Sequence, residues 1–129
     1  LLHTGFDVAF ERIRRCDPVR VRTVIDRFPE LTLVTSHCGG WEDWDQVEDH
    51  ILGKQIYMDI SYSHMYLGQE RFKRFLNTHP EDYILFGTDS PWFGHGDTIA
   101  AIKACKLSVR REQKIFYQNA SRLLALNLS

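Results

Sequence analysis

The sequence predicts an α/β protein built from consecutive parallel βα units, and three observations carry that reading. Short β-prone runs alternate with segments of helical apolar spacing. Cap and turn residues separate them at regular intervals. The β-prone runs end at His3, His37, about Ser61 and Asp89, which are 34, 24 and 28 residues apart, near the ~31 residues per unit of a (β/α)8 barrel of ~250 residues. Four units are therefore expected where a closed barrel has eight. With no linker, low-complexity tract or charge block, residues 1–129 read as a single, partial domain.

Taken in order, residues 1–3 read as the end of a strand. Asp17-Pro18 supplies a helix cap and a first-turn proline. Val21, Val24, Ile25 and Phe28 then recur at helical spacing until Pro29 stops the run. Residues 31–35 (LTLVT) suit a strand buried on both faces. Gly39-Gly40 breaks it, and Trp41, Trp44, Val47 and Ile51 form a second helical stripe that ends near Gly53. Residues 56–60 (IYMDI) are the next strand. Phe72, Phe75 and Leu76 share a face of a third helix, which ends before His79-Pro80. Residues 83–86 (YILF) form the last strand. Ile99 and Ile102 mark a further helix, and Phe116, Ala120, Leu123 and Leu124 a terminal one.

Composition limits the function classes. The chain is 43% hydrophobic and 26% charged with a formal net charge of −1, so no basic surface for nucleic acid is expected. No apolar run approaches the ~20 residues needed to span a bilayer. Cys16, Cys38 and Cys105 are odd in number and widely spaced, which argues against a disulfide framework and for a reducing, cytoplasmic setting. The chain starts Leu-Leu-His inside a strand, and a piece of a longer polypeptide is expected.

In parallel α/β proteins chemistry gathers where the strands end. Those positions hold His3, His37, Asp59 with Ser61, and Asp89. Two histidines and a carboxylate are ligand types for a divalent transition metal, zinc above all. Taken singly, His37 suits a structural role and Asp89 a turn or cap before Ser90-Pro91. Their occurrence at equivalent ends of successive units favours the metal. Just past the strands, Phe6-Asp7, Gly39-Gly40-Trp41, residues 62–66 (YSHMY) and Pro91-Trp92-Phe93 are candidate substrate walls. Trp41, Tyr62, His64 and Trp92 are the expected substrate-binding residues. His50, His79 and His95 read as surface or turn residues.

The stretches His3-Thr4-Gly5, 36–40 (SHCGG), 56–61 (IYMDIS), 85–91 (LFGTDSP) and 119–123 (NASRL) together resemble the second half of the amidohydrolase-2 family. These are metal-dependent (β/α)8 enzymes that include ACMSD-type decarboxylases and C–C, C–N and lactone hydrolases. The resemblance implies strands equivalent to the fifth to eighth of the barrel. It implies metal ligation by His3 and Asp89, and by His37 at a second metal or on the substrate, with Asp89 also handling a proton. It implies a structural role for Asp59. The family's first-strand His-x-His pair has no counterpart, since no two of the six histidines are separated by one residue. The expected function is a metal-dependent hydrolase of a small organic amide, ester or lactone, the alternative being a non-oxidative decarboxylase. A third reading is a non-catalytic half barrel whose open edges pair with the missing half or with a second copy. Nucleophilic catalysis by Cys38 beside His37, or by Ser90 beside Asp89, is disfavoured because neighbours on an extended chain point to opposite sides. Gly39-Gly40 alone is too little for a phosphate site.

Overall fold

Asp17 and Pro18 begin α1 (Pro18–Arg27) as their chemistry dictates. Asp17 has extended backbone, and its Oδ1 accepts the Arg20 N–H at 3.2 Å. Pro18 sits in the first turn, where the proline's missing N–H leaves nothing unpaired. The computed structural model describes residues 1–126. After α1 come β1 (Val34–Thr35), α2 (Trp44–His50), β2 (Tyr57–Asp59), the one-turn α3 (His64–Leu67), α4 (Gln69–Thr78), β3 (Ile84–Leu85) and α5 (His95–Ala104). The last helical stretch is α6 (Val109–Gln113), a π-turn (Lys114–Gln118) and α7 (Asn119–Leu123), which follow one another directly.

The strands pair in sequence order, β1-β2-β3, and all are parallel. Thr35 lies opposite Met58 and Met58 opposite Ile84. On the outer side of β1, Leu2 forms a parallel bridge with Thr35. Its N–H donates to the Val34 carbonyl at 2.9 Å, and its own carbonyl accepts the Ser36 N–H at 3.0 Å. Four parallel chain segments therefore stand side by side, as the spacing predicts. Each is shorter than expected: the first is a single bridge, and the runs 31–35, 56–60 and 83–86 contribute two, three and two strand residues. Leu31 is instead exposed and tied to the Phe28 carbonyl in the turn after α1. At the other end of each strand the backbone turns into the loop that carries the site.

The core lies between the sheet and its helices. Val47 and Ile51 from the α2 region, Met58 from β2, and Phe72, Phe75 and Leu76 from α4 are fully buried, as are Ile84, Ile102 and Ile115. Three helix faces depart from expectation. Trp41 precedes α2 rather than belonging to it. In α1 only Pro18 and Val21 are buried, while Val24 and Phe28 are exposed. In the terminal helix Ile115 and Asn119 are buried, while of the expected Phe116, Ala120, Leu123 and Leu124 face Phe116 packs against the core and Leu124 is exposed. The π-turn adds a residue to one turn and so rotates the face that follows. The Asn119 Nδ2 donates to the carbonyls of Glu81 and Ile84, each at 2.8 Å, which ties this helix to β3. No helix among the described residues is long and apolar enough to cross a membrane.

Candidate active site

Each of the three strands runs out into a non-glycine residue with left-handed backbone: His37 (φ 55°), Tyr62 (φ 50°) and Asp89 (φ 61°). A side chain in that region costs about 1–2 kcal/mol. Strain of this kind persists where the surrounding structure imposes it, commonly at functional sites. The outer segment turns at Gly5 (φ 91°), where a Cβ would lie 2.2 Å from the Trp41 nitrogen. Only glycine fits there. The crossing is held by the Trp41 N–H donating to the Thr4 carbonyl at 2.7 Å and the Phe6 N–H to the Trp41 carbonyl at 2.9 Å.

These turns deliver His3, His37, Tyr62 and Asp89 to one cavity of about 170 Å³, lined also by Asp7, Val8, Trp41 and Trp92. Ligand pockets usually begin near ~300 Å³, so the chain supplies part of a binding site rather than an enclosed one. Six of the expected site residues meet here, namely His3, His37, Trp41, Tyr62, Asp89 and Trp92. The seventh, His64, does not line the cavity. Its ring lies behind the wall, 5.1 Å from the Phe93 ring and 6.0 Å from Phe72, and burial lowers its pKa. Val8 is a lining residue that sequence reasoning missed, because it belongs to an irregular loop without periodicity.

The two histidines are oriented by hydrogen bonds on their far sides. His3 Nε2–H donates to the Phe6 carbonyl at 2.8 Å, leaving Nδ1 as an acceptor. His37 Nδ1–H faces the Ser61 carbonyl at 3.1 Å and the Ser61 hydroxyl oxygen at 3.3 Å, leaving Nε2 as an acceptor. Those two remaining nitrogens stand 3.1 Å apart. In the neutral rings two lone pairs face each other, an arrangement that a cation between them relieves. Far-side bonds of this type are how metal-ligating histidines are held.

Asp59 completes the support. Its Oδ1 accepts the Ser61 hydroxyl at 2.5 Å, the Ser61 N–H at 2.9 Å and the His37 N–H at 3.2 Å. The signal for this clamp was present in the sequence, since alternate residues of a strand share a face.

Asp89 is exposed on the same cavity. It does not close with the histidines into a three-ligand site, and no group of three His, Cys, Asp or Glu side chains among the described residues does so. The donor set thus fits part of a metal centre and not a complete one. Cys38 is fully buried and burial pushes its thiol pKa up, so it offers no thiolate at neutral pH.

The aromatic wall is continuous. Trp41 is 3% exposed and contacts Tyr62 and Tyr66 at ring separations of 4.8 and 4.6 Å. Tyr62 in turn lies 4.8 Å from Phe93. Trp92 stands at the rim, 73% exposed.

A family model described as amidohydrolase matches residues 1–126. Among curated proteins none matches the chain. Solved structures do. An uncharacterized TIM-barrel protein from Bordetella bronchiseptica is 26% identical with a TM-score of 0.66, over 96% of this chain and 44% of that one. A dihydroxybenzoic acid decarboxylase from a Polaromonas species, solved with manganese and the inhibitor 2-nitroresorcinol, is 18% identical with a TM-score of 0.64, over 87% of this chain and 40% of that one. An amidohydrolase from Burkholderia multivorans with bound zinc is 14% identical with a TM-score of 0.64, over 85% of this chain and 49% of that one. The chain thus spans less than half the length of these proteins and has the fold of about half a (β/α)8 barrel. The strand ends that carry two facing histidines and an aspartate are those of a member of the amidohydrolase family, and the chain belongs to that family.

Proposed function

We propose that this chain carries part of the active site of a metal-dependent hydrolase acting on an amide, ester or lactone of a small organic molecule. The observation that carries the reading is the convergence of His3, His37 and Asp89 from three of the four strand ends, with the two histidine lone pairs facing one another at 3.1 Å. His3 Nδ1, His37 Nε2 and the Asp89 carboxylate are the donors that would hold a divalent ion, for which zinc is the best match to nitrogen and carboxylate ligands. The chain's own set is incomplete, and the remaining ligands would come from complementary barrel units. The same reading assigns to those units the open edge of the sheet, where Leu1 and Leu2 are exposed. A zinc ion held there would supply a water whose pKa is lowered to about 7.

The protein residues have separate tasks in this reading. The exposed Asp89 carboxylate takes the proton of the attacking water. His37, locked by Asp59 and Ser61, holds Nε2 towards His3 Nδ1, where the ion would sit. Trp41, Tyr62 and Trp92 hold the organic part of the substrate and exclude water from one face of it. A second reading, non-oxidative decarboxylation, is favoured by the aromatic wall, against which a planar aromatic acid can stack, and by the likeness to the dihydroxybenzoic acid decarboxylase.

The test is metal binding. The chain titrated with zinc should bind about one ion, weakly because its ligand set is incomplete. His3→Ala and Asp89→Asn should each weaken zinc at least tenfold, a loss comparable to that seen when supporting groups of metal sites are removed. A chain that binds no zinc, or variants that bind it undiminished, would overturn the reading. Carbon dioxide release, against appearance of a new carboxylic acid, separates the two chemistries.

A further inference from the structure

Tyr62 shares the left-handed backbone of His37 and Asp89 at the end of the strand between theirs. A tyrosine gains nothing in local conformation from that region, where glycine or asparagine would sit with less strain. Its ring is fixed between Trp41 and Phe93, each 4.8 Å away. Tyr66, one turn along in α3, places its hydroxyl 3.1 Å from the Tyr62 hydroxyl, within hydrogen-bond distance. Two phenols that share one O···O contact use one proton between them and leave the other free. Of the pair only Tyr62 lines the cavity, so an acceptor bound there uses both protons when Tyr66 donates to Tyr62 and Tyr62 donates to the acceptor. An oxygen that already accepts a hydrogen bond is also a stronger donor.

We propose that Tyr62 is a hydrogen-bond donor to an anionic oxygen of the bound substrate, with Tyr66 as the positioning residue that turns the Tyr62 O–H into the cavity. This deepens the proposed function and rests on that assignment of the cavity. Tyr62 and Asp89, which line the same cavity, then have different tasks: the carboxylate accepts a proton while the phenol donates a hydrogen bond without giving its proton up. A phenol keeps its proton at neutral pH, as a donor must. The ligand class that matches is a ring or acyl compound carrying a phenolate or carboxylate oxygen on the side facing Tyr62. A group without such an oxygen would leave the Tyr62 O–H without a partner in the occupied site.

The test uses 2-nitroresorcinol as a coloured probe with the full chain in zinc-containing buffer. Wild type should bind it saturably and shift its phenolate absorption band to shorter wavelength, as hydrogen-bond donation to a phenolate does. Tyr62→Phe should weaken binding about tenfold, the loss expected for one hydrogen bond to a charged oxygen, and should abolish the shift. Tyr66→Phe should weaken binding about threefold and reduce the shift without abolishing it. Unchanged thermal unfolding in both variants separates these effects from a packing role. Wild-type binding with an unaltered affinity and spectrum in Tyr62→Phe would overturn the role of Tyr62 and leave the cavity assignment standing. Failure of wild type to bind the probe would overturn both.

Discussion

At the amino-terminal end of the sheet His79 spends both ring nitrogens on backbone. Nε2–H donates to the Ile56 carbonyl at 2.8 Å, and Nδ1 accepts the Gly53 N–H at 3.4 Å. At the carboxyl-terminal end His37 spends only Nδ1 in this way and points Nε2 at His3. Both histidines are buried, and both sit next to strands of the same sheet. The difference is what remains unused. A histidine with two backbone partners is a structural clamp. One with a single backbone partner and a cavity before it has a nitrogen left for a ligand. Burial alone would not distinguish them.

The contrast can be broken from either end. The largest effect is expected from Gly5→Ala at the carboxyl-terminal end. The new Cβ would meet backbone atoms of Trp41 at 2.2 and 2.3 Å, in a conformation that disfavours a side chain. Backbone cannot yield as a flexible side chain does, so the crossing that places His3 beside His37 should be lost. The variant is expected to be largely unfolded or, where folded, unable to bind zinc, as read by circular dichroism and zinc titration.

At the opposite end His79→Ala should cost about 4 kcal/mol. It strands the Gly53 N–H and the Ile56 carbonyl and opens a cavity in packed core. The expected signature is a lowered Tm with zinc binding unchanged in the fraction that is folded. A loss of zinc as large as that of His3→Ala would show that the two ends are not independent.

A smaller and graded effect follows from pH. Burial, with a contribution from Arg111, lowers the His79 pKa from 6.5 to about 4. Its folded-state pKa is below its unfolded value, so between those values the unfolded chain binds the extra proton. Stability linked to His79 is then complete above pH ~6.5 and is lost as pH falls towards about 4, by a total of about 3 kcal/mol. Denaturant unfolding at pH 7, 6, 5 and 4 should show this slope in wild type, and it should be absent in His79→Gln. An equal slope in the variant would assign the effect to other groups.

Much of this architecture is legible in the residues themselves. Asp17-Pro18 starts α1 because a cap and a φ-restricted residue act locally. Phe72, Phe75 and Leu76 face inward together because the helical repeat places them there. The spacing of His3, His37, Ser61 and Asp89 marks successive strand ends because parallel units repeat at nearly constant length. Other features depend on partners distant in sequence. His79 reads as a turn residue beside Pro80, and only the approach of Gly53 and Ile56 makes it a buried clamp. The inward face of the last helix depends on a π-turn that apolar periodicity does not encode. His64 lies in a candidate wall by its position in the chain, but α3 turns its ring behind Phe93.

The sequence by itself therefore determined the parallel α/β class, the order of the units and the residue types at the strand ends, since these follow from local preference and repeat length. Tertiary structure alone decided which nitrogen of each histidine is left over, and that His37 comes within reach of Asp59 and Ser61. Those outcomes depend on distances of a few tenths of an ångström between side chains and backbone brought together by folding, and no residue pattern records them.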